Sequence, residues 1–377
     1  MRRLRHITLV AALAAALMAT ATSPAHAGKR MEVAVQDEPL LLNQIGMTHK
    51  RSFKLLKELF VTRIRVNVAF ARVIRGNPRK KKKPKHLKWD FASYDYLRTV
   101  AARRGVKLQL TLTTPAPAWA NGNKKIGSYQ LKTKYFKEFV RVTVRHFGRK
   151  IDRYAIHNEP NYVSWNGPLK GAAKRYRRIY GDAYKIIRKV NPKAQILFGE
   201  TAPYRQEGRS IAPLKFIRDV TKGKKIRADG FAHHPYDFRH HLDYRYPGKD
   251  NVTIKTLGRL TRQLKQLARQ KRLITRTGKQ LPVYLTEYGY MGSGKYKIRP
   301  ESRRAKYVTK AFEMARKNPH VKQMLQYVLV KPPSFSDRFD TSIVSRKGKK
   351  TATFKSLARW AKNAAKKKQI LVPHPPR

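Results

Sequence analysis

The sequence predicts an α/β fold of the (β/α)8 TIM barrel class, and two observations support this prediction. Apolar strand-like runs alternate along the chain with segments whose apolar residues recur at helical spacing, an order typical of parallel sheets. There are eight such runs, and the first is not followed by the Gly-rich phosphate turn that an open doubly wound sheet usually shows. Eight strand–helix units fit a closed barrel better than an open sheet.

The eight predicted strands are short, strand-like apolar runs. They cover residues 31–36, 61–69, 106–113, 151–157, 194–199, 230–234, 283–287 and 321–330. Helical apolar spacing occurs between them at residues 53–60, 94–101, 135–144 and 257–267, and a closing helix is predicted over 351–364. Gly105 and Asn191-Pro192 are stop signals at which helices should end.

The two ends of the chain differ from this pattern. Residues 1–27 combine a basic start, an apolar stretch over 7–19 and a small-residue site ending at Ala27, which predicts a signal peptide cleaved near Ala27. The apolar stretch is short for a membrane anchor, so we expect a secreted, extracellular protein without a membrane span. The barrel domain is expected over residues 28–364, followed by a basic, proline-rich tail at 365–377.

Composition limits the partners that the protein can have. The chain contains no Cys, which excludes disulfides and Cys-ligated zinc. Its 86 Lys and Arg against 22 Asp and Glu give a net charge of +64, which favours anionic partners such as cell-wall polymers. The basic residues are spread widely, with one dense run at 79–85 and a weaker one at 366–368. The dense run lacks interleaved aromatic residues, so no specific nucleic-acid site is expected.

Two carboxylates stand at the ends of predicted strands. Glu159 follows the fourth strand, and Glu287 ends the seventh. In a parallel barrel both strand ends open at the same mouth, where barrel active sites form. A facing pair of carboxyl groups is the machinery of glycosidic bond cleavage, so the pair predicts a glycosidase.

The motifs around these carboxylates resemble those of clan A of the (β/α)8 glycoside hydrolases, the cellulase and β-xylosidase superfamily. Asn158-Glu159-Pro160 and Thr286-Glu287-Tyr288-Gly289 match the clan's fourth- and seventh-strand motifs, and His233-His-Pro-Tyr236 is similar to its sixth-strand motif. Further similarity lies in residues 89–95, 104–107 and 114–119. The resemblance is to the clan as a whole, with no single close member. The eighth strand lacks the Trp that often floors the sugar site in the clan.

The resemblance implies a retaining β-glycosidase that hydrolyses O-glycosidic bonds of a poly- or oligosaccharide by double displacement. Glu159 would be the acid/base and Glu287 the nucleophile. Arg65 and Tyr236 would stabilise the charge of Glu287, and Asn158 would bind the sugar 2-hydroxyl. The remaining implied residues are His234 in the sixth-strand motif, and Trp119 and Trp165 as flat faces for sugar stacking.

Two alternatives stand beside this interpretation. His233, His234, His240 and His241 cluster with Asp237 and Asp243, a composition that can hold zinc or manganese, although the spacing matches no familiar ligand framework. We therefore expect neither a metal nor another cofactor. The second alternative is a non-catalytic cationic barrel that binds anionic cell-wall or extracellular polymers. The sugar, the linkage, exo or endo action and the oligomeric state stay open.

Overall fold

Eight parallel strands close into a barrel in the computed structural model, which describes residues 30–331 and 339–375. The strands are β1 Glu32–Gln36, β2 Arg63–Ala69, β3 Lys107–Thr113, β4 Arg153–Ile156, β5 Gln195–Thr201, β6 Gly230–His233, β7 Val283–Leu285 and β8 Val321–Tyr327. Each pairs with the next in chain order, and β8 pairs with β1 to complete the ring. The predicted (β/α)8 barrel is confirmed. The expected signal peptide, residues 1–27, lies outside the described residues.

Helices surround the barrel and connect its strands. They are α1 Glu38–Asn43, α2 His49–Glu58, α3 Ala92–Ala102, α4 Thr133–Phe147, α5 Val163–Asn166, α6 Ala172–Val190, α7 Pro213–Thr221, α8 Leu257–Arg269, α9 Glu301–Lys317 and α10 Ala352–Lys366. Among the described residues, no helix combines the length and the hydrophobicity that crossing a membrane requires. The last helix, α10, begins at a side-chain cap, because the Thr351 hydroxyl accepts a hydrogen bond from the Phe354 amide.

The alternation of side chains along β2 explains where the core lies. Ile64, Val66 and Val68 belong to the large apolar cluster that the strands share with the helices. Arg63 and Arg65, which alternate with them, are buried on the other face of the same strand, inside the barrel. A smaller apolar cluster of Ala155, Leu197, Ala232 and Tyr284 is separate from the large one. Charged groups inside the barrel must therefore find partners there.

The N-terminal mouth of the barrel is closed by such partners. Arg63 bonds Asp152 at 2.7 Å and Glu32 at 3.1 Å, and Arg153 also contacts Glu32. The carboxyl-terminal segment packs at the same end: Leu371 donates its amide to the Met31 carbonyl at 3.0 Å, and Ile370 is buried. In this fold the N-terminal mouth serves stability, which leaves the opposite mouth for function.

Candidate active site

The C-terminal ends of the strands deliver charged and polar side chains to one open cleft. The cleft has a volume of about 860 Å³, and Asn158, Glu159, Tyr236 and Glu287 are among its lining residues. Arg65, Glu200 and His234 lie directly beneath them, fully buried. Six of the seven site residues expected from the sequence are thus in one cluster, and Glu200 is an addition to them.

Glu287 is the most strongly held carboxylate that faces the cleft. Its Oε1 accepts a hydrogen bond from Arg65 Nη1 at 2.7 Å, and its Oε2 accepts one from the Tyr236 hydroxyl at 3.2 Å. His234 Nδ1 lies 3.6 Å from the same Oε2. Burial raises the pKa of Glu287, and Glu159 and Glu200 act in the same direction, while His234 and Arg65 oppose them.

Glu159 lies opposite, on the turn that follows β4. Its backbone has a φ of +38°, a left-handed conformation that costs a non-glycine residue about 1–3 kcal/mol and is common at functional sites. Its Oε1 is 3.0 Å from His234 Nδ1, and its side chain keeps 17% of its surface exposed. A carboxylate oxygen of Glu159, one of Glu287 and a ring nitrogen of His234 all lie within 4.8 Å of one another.

Arg65 connects the two sides of the cluster. Besides Glu287, its guanidinium bonds Asn158 Oδ1 at 2.7 Å and Glu200 Oε2 at 3.0 Å, and it also contacts Gln36. The bond to Asn158 turns the carboxamide so that its nitrogen, the donor, points away from Arg65. Asn158 can therefore offer a hydrogen bond to a ligand in the cleft that it lines.

Glu200 is the residue that sequence reasoning missed. It lies at a bulge in β5, where the register with β6 shifts between Gly199 and Thr201, and its own φ is +49°. Burial alone would raise the pKa of Glu200, but Arg65 and hydrogen bonds from His234 and Thr286 outweigh it and hold that pKa below the ordinary value. A glycine near the end of a strand pattern was the available signal, because such a glycine often marks a bulge.

His234 is fully buried between three carboxylates. Its Nε2 is 2.7 Å from Glu200 Oε2, while its Nδ1 faces Glu159 and Glu287. Burial lowers the pKa of His234, but the charge of Glu287 and the hydrogen bonds to Glu159 and Glu200 raise it overall, to about 9. These contacts favour the protonated form of the imidazole.

The expected sugar-stacking role of Trp119 is wrong in this structure. Its ring is 2% exposed and packs edge-on against Phe70 and Tyr135, so no ligand can stack on it. Trp165 does line the cleft. Other aromatic rings join it there, and Tyr204 and Tyr246 stack at 4.4 Å between centroids. Further aromatic rings that line the cleft are Tyr162, Phe238, Tyr296, Tyr327 and Phe339.

The alternative metal cluster is not assembled. His233 lies between the Thr201 hydroxyl and the Val252 carbonyl, and His240 bonds Asp237 at 2.6 Å. Asp243 bonds Lys255 and Lys310 on the surface. Within residues 30–331 and 339–375, the one group of three potential metal ligands is Glu159, His234 and Glu287. These are the residues of the carboxylate pair and the histidine between them.

Comparison with known proteins agrees with this geometry. The model of the family Cellulase (glycosyl hydrolase family 5) matches residues 28–325. The chain belongs to this family. Its resemblance to clan A of the glycoside hydrolases is thereby confirmed. No curated protein sequence matches the chain.

Solved structures of several glycoside hydrolases share the fold. A family 39 glycoside hydrolase from Bacteroides cellulosilyticus WH2 superposes with a TM-score of 0.67 at 18% identity, over 89% of this chain and 64% of that one. A monomeric β-xylosidase from Caulobacter crescentus CB15 superposes with a TM-score of 0.59 at 16% identity, over 87% of this chain and 67% of that one. An exo-β-1,4-mannosidase from Opitutaceae bacterium strain TAV5 superposes with a TM-score of 0.57 at 14% identity, over 90% of this chain and 60% of that one. This family 5 chain thus spans only about two thirds of the length of these structures.

Proposed function

We propose that this protein is a retaining β-glycosidase with Glu287 as nucleophile and Glu159 as acid/base. One observation carries the proposal: an oxygen of each carboxylate lies within 4.8 Å of the other, with His234 between them. Retaining enzymes hold their carboxyl groups about 5–5.5 Å apart, whereas inverting enzymes need about 6.5–9.5 Å to admit a water. The close spacing supports direct attack on the sugar.

The surrounding residues suit the two steps. In the first, an oxygen of Glu287 forms a bond to the anomeric carbon while Glu159 gives its proton to the departing glycosidic oxygen. Arg65 favours the ionised form of Glu287, and Arg65 and the Tyr236 hydroxyl together orient it. In the second, Glu159, now ionised, takes a proton from water, and that water's oxygen displaces Glu287 from the anomeric carbon.

The substrate that we propose is a poly- or oligosaccharide. A cleft of this size with many aromatic walls suits sugar rings, whose C–H faces pack on aromatic side chains. The structurally similar proteins include a β-xylosidase and an exo-β-1,4-mannosidase. Aryl β-xylosides and β-mannosides are therefore the first substrates to test, followed by xylan, mannan and glucan.

The decisive experiment compares the wild type with Glu159→Gln and Glu287→Gln across this panel. We expect wild-type turnover, a loss of about 10²–10⁴-fold in kcat for Glu159→Gln and a larger loss for Glu287→Gln. Glu207→Gln is the matched control, because its side chain is 94% exposed and the change removes the same charge. Absence of wild-type turnover on every substrate would overturn the proposal and favour the non-catalytic polymer-binding protein.

We also propose that the protein is exported by residues 1–27 and held near anionic polymers by its positive charge. The dense basic run at 79–85 lies in the loop between β2 and α3, and most of its side chains are exposed. Export predicts a mature protein that begins at Gly28, which sequencing of its N terminus would test. Binding to anionic polymers predicts that the protein adsorbs to a polyanion and that this adsorption falls steeply with added salt. Adsorption that does not respond to salt would contradict this proposal.

A further inference from the structure

Glu200 is a fully buried carboxylate that neither attacks nor protonates the substrate in the proposed mechanism. A buried charge is costly unless it is paired, and Glu200 is paired extensively. Its Oε2 accepts from Arg65 Nη2 at 3.0 Å, from His234 Nε2 at 2.7 Å and from Thr286 Oγ1 at 2.7 Å. Its Oε1 is 3.3 Å from Gln109 Nε2. A residue so held is placed to orient its neighbours.

The contact with Glu200 fixes the position of one hydrogen on His234. An ionised carboxylate can only accept hydrogen bonds, so His234 Nε2 must carry a hydrogen when it bonds Glu200. The other nitrogen, Nδ1, faces Glu159 Oε1 at 3.0 Å and Glu287 Oε2 at 3.6 Å. Both ring nitrogens therefore face carboxylate oxygens, which is the environment of an imidazolium that donates in both directions.

The charges around His234 come from four strands. Glu159 follows β4, Glu200 belongs to β5, Glu287 follows β7, and Arg65 on β2 bonds the last two. On the side of β6, His233 is neutral because burial lowers its pKa to about 3, and Tyr236 meets the imidazole ring edge-on. With Arg65 and His234 as cations, the cluster is electrically neutral when one of its three carboxyl groups carries a proton.

We propose that Glu200 is a positioning residue that holds His234 as an imidazolium, whose Nδ1–H bonds Glu159 Oε1 and so confines the catalytic proton to Glu159 Oε2. This inference rests on the proposed function of Glu159. An oxygen that accepts a hydrogen bond from the imidazolium is a poor place for the proton, so the acid presents its other oxygen to the leaving group. Glu200 thereby acts on the acid through His234, without touching the substrate.

The first test is the titration of His234 in the intact protein, followed by ¹⁵N NMR of labelled histidine side chains. The signal is assigned by its absence from His234→Gln. In the wild type we expect both ring nitrogens to remain protonated at pH 7, with a midpoint near 9. A neutral His234 at pH 7 would overturn the proposal, and this result needs neither a Glu200 variant nor any enzymatic turnover.

The second test changes Glu200 itself. Glu200→Gln removes a charge in direct contact with His234, so the midpoint should fall by about one to three pH units. Glu200→Asp keeps the charge, so the midpoint of its His234 titration should stay closer to that of the wild type. This variant also provides a test if Glu200→Gln does not fold. Thr286→Val is the matched control, because it removes an uncharged donor from the same oxygen. An unchanged midpoint in Glu200→Gln would overturn the proposal.

The third test is the pH profile of hydrolysis. Glu200→Gln should lose about 10²-fold in kcat with a smaller change in KM, as expected when a catalytic group is misoriented. Its activity should also end at a lower pH than that of the wild type, because His234 loses its charge earlier. If Glu200→Gln lost the same factor in kcat at every pH, Glu200 would only support the fold. If no substrate is hydrolysed, the proposed function fails, whereas the NMR titration still decides the role of Glu200 toward His234.

Discussion

At the scale of single residues, the environment of Glu287 sets the pH range in which the enzyme works. A free glutamate has a pKa of about 4.3, and burial raises the pKa of Glu287 above its ordinary value. As the proposed nucleophile, Glu287 must be ionised, so activity is expected above the raised pKa and is lost as the pH falls through it. We expect the acid limb of the kcat/KM profile to lie above the value for free glutamate. A midpoint at or below that value would contradict the assignment.

The Tyr236 hydroxyl donates a hydrogen bond to Glu287, the proposed nucleophile. Tyr236→Phe removes one hydrogen bond to Glu287 without changing the volume of the ring. A hydrogen bond to a charged group contributes about 1.5–3 kcal/mol, so we expect kcat/KM to fall roughly 10–150-fold and the melting temperature to fall by a few degrees.

Tyr290→Phe is the control for this change. Tyr290 is also buried, and its hydroxyl bonds the His240 carbonyl, so its loss removes a hydrogen bond away from the carboxylate pair. Equal activity of the two variants would show that the Tyr236–Glu287 contact does not matter for the reaction.

At the scale of elements, the bulge in β5 is what brings a third carboxylate into the barrel. Gly199 has a φ of +113°, and a Cβ there would lie 2.6 Å from the Ala232 carbonyl and 2.7 Å from the Phe231 ring. Gly199→Ala should therefore destabilise the protein by about 1–3 kcal/mol and lower activity, because Glu200 is the next residue. Urea unfolding and hydrolysis rates measure the two effects.

Gly181→Ala is the matched control for the bulge. Gly181 lies within α6, has no neighbouring atom within 4 Å of an added Cβ, and has an ordinary helical φ. Alanine favours helices over glycine by about 0.8–1 kcal/mol, so this variant should be slightly more stable and equally active. If Gly199→Ala behaved in the same way, the bulge would have no structural role.

The sequence predicted the strands well because each is a short, largely apolar run that alternates along the chain with a helical pattern. It predicted the two carboxylates because each directly follows such a run. Glu200 was missed because the fifth strand was expected to end at Gly199, and a glutamate after a strand is usually a surface residue. Trp119 was misjudged because periodicity does not distinguish a ring that faces the cleft from one that packs on Phe70.

At the scale of the whole molecule, the net charge of +64 gives the protein a strongly positive field. A positive field favours the ionised form of carboxyl groups, which is the form that cannot donate a proton. Added salt screens this field, with a Debye length of about 10 Å at 0.1 M and 3 Å at 1 M. We expect salt to move the alkaline limb of the pH–rate profile upward. A limb that does not move would mean that local contacts dominate.

The closed barrel makes the site possible, since Glu159 and Glu287 are 128 positions apart in the numbering and meet only because β4 and β7 open at one mouth. The most direct test of the pair's proposed chemistry is ¹H NMR of the first sugar released from a hydrolysed β-glycoside, recorded before mutarotation. Double displacement through Glu287 predicts that the β anomer appears first. An initial α anomer would show that water attacks the sugar directly and would contradict the account.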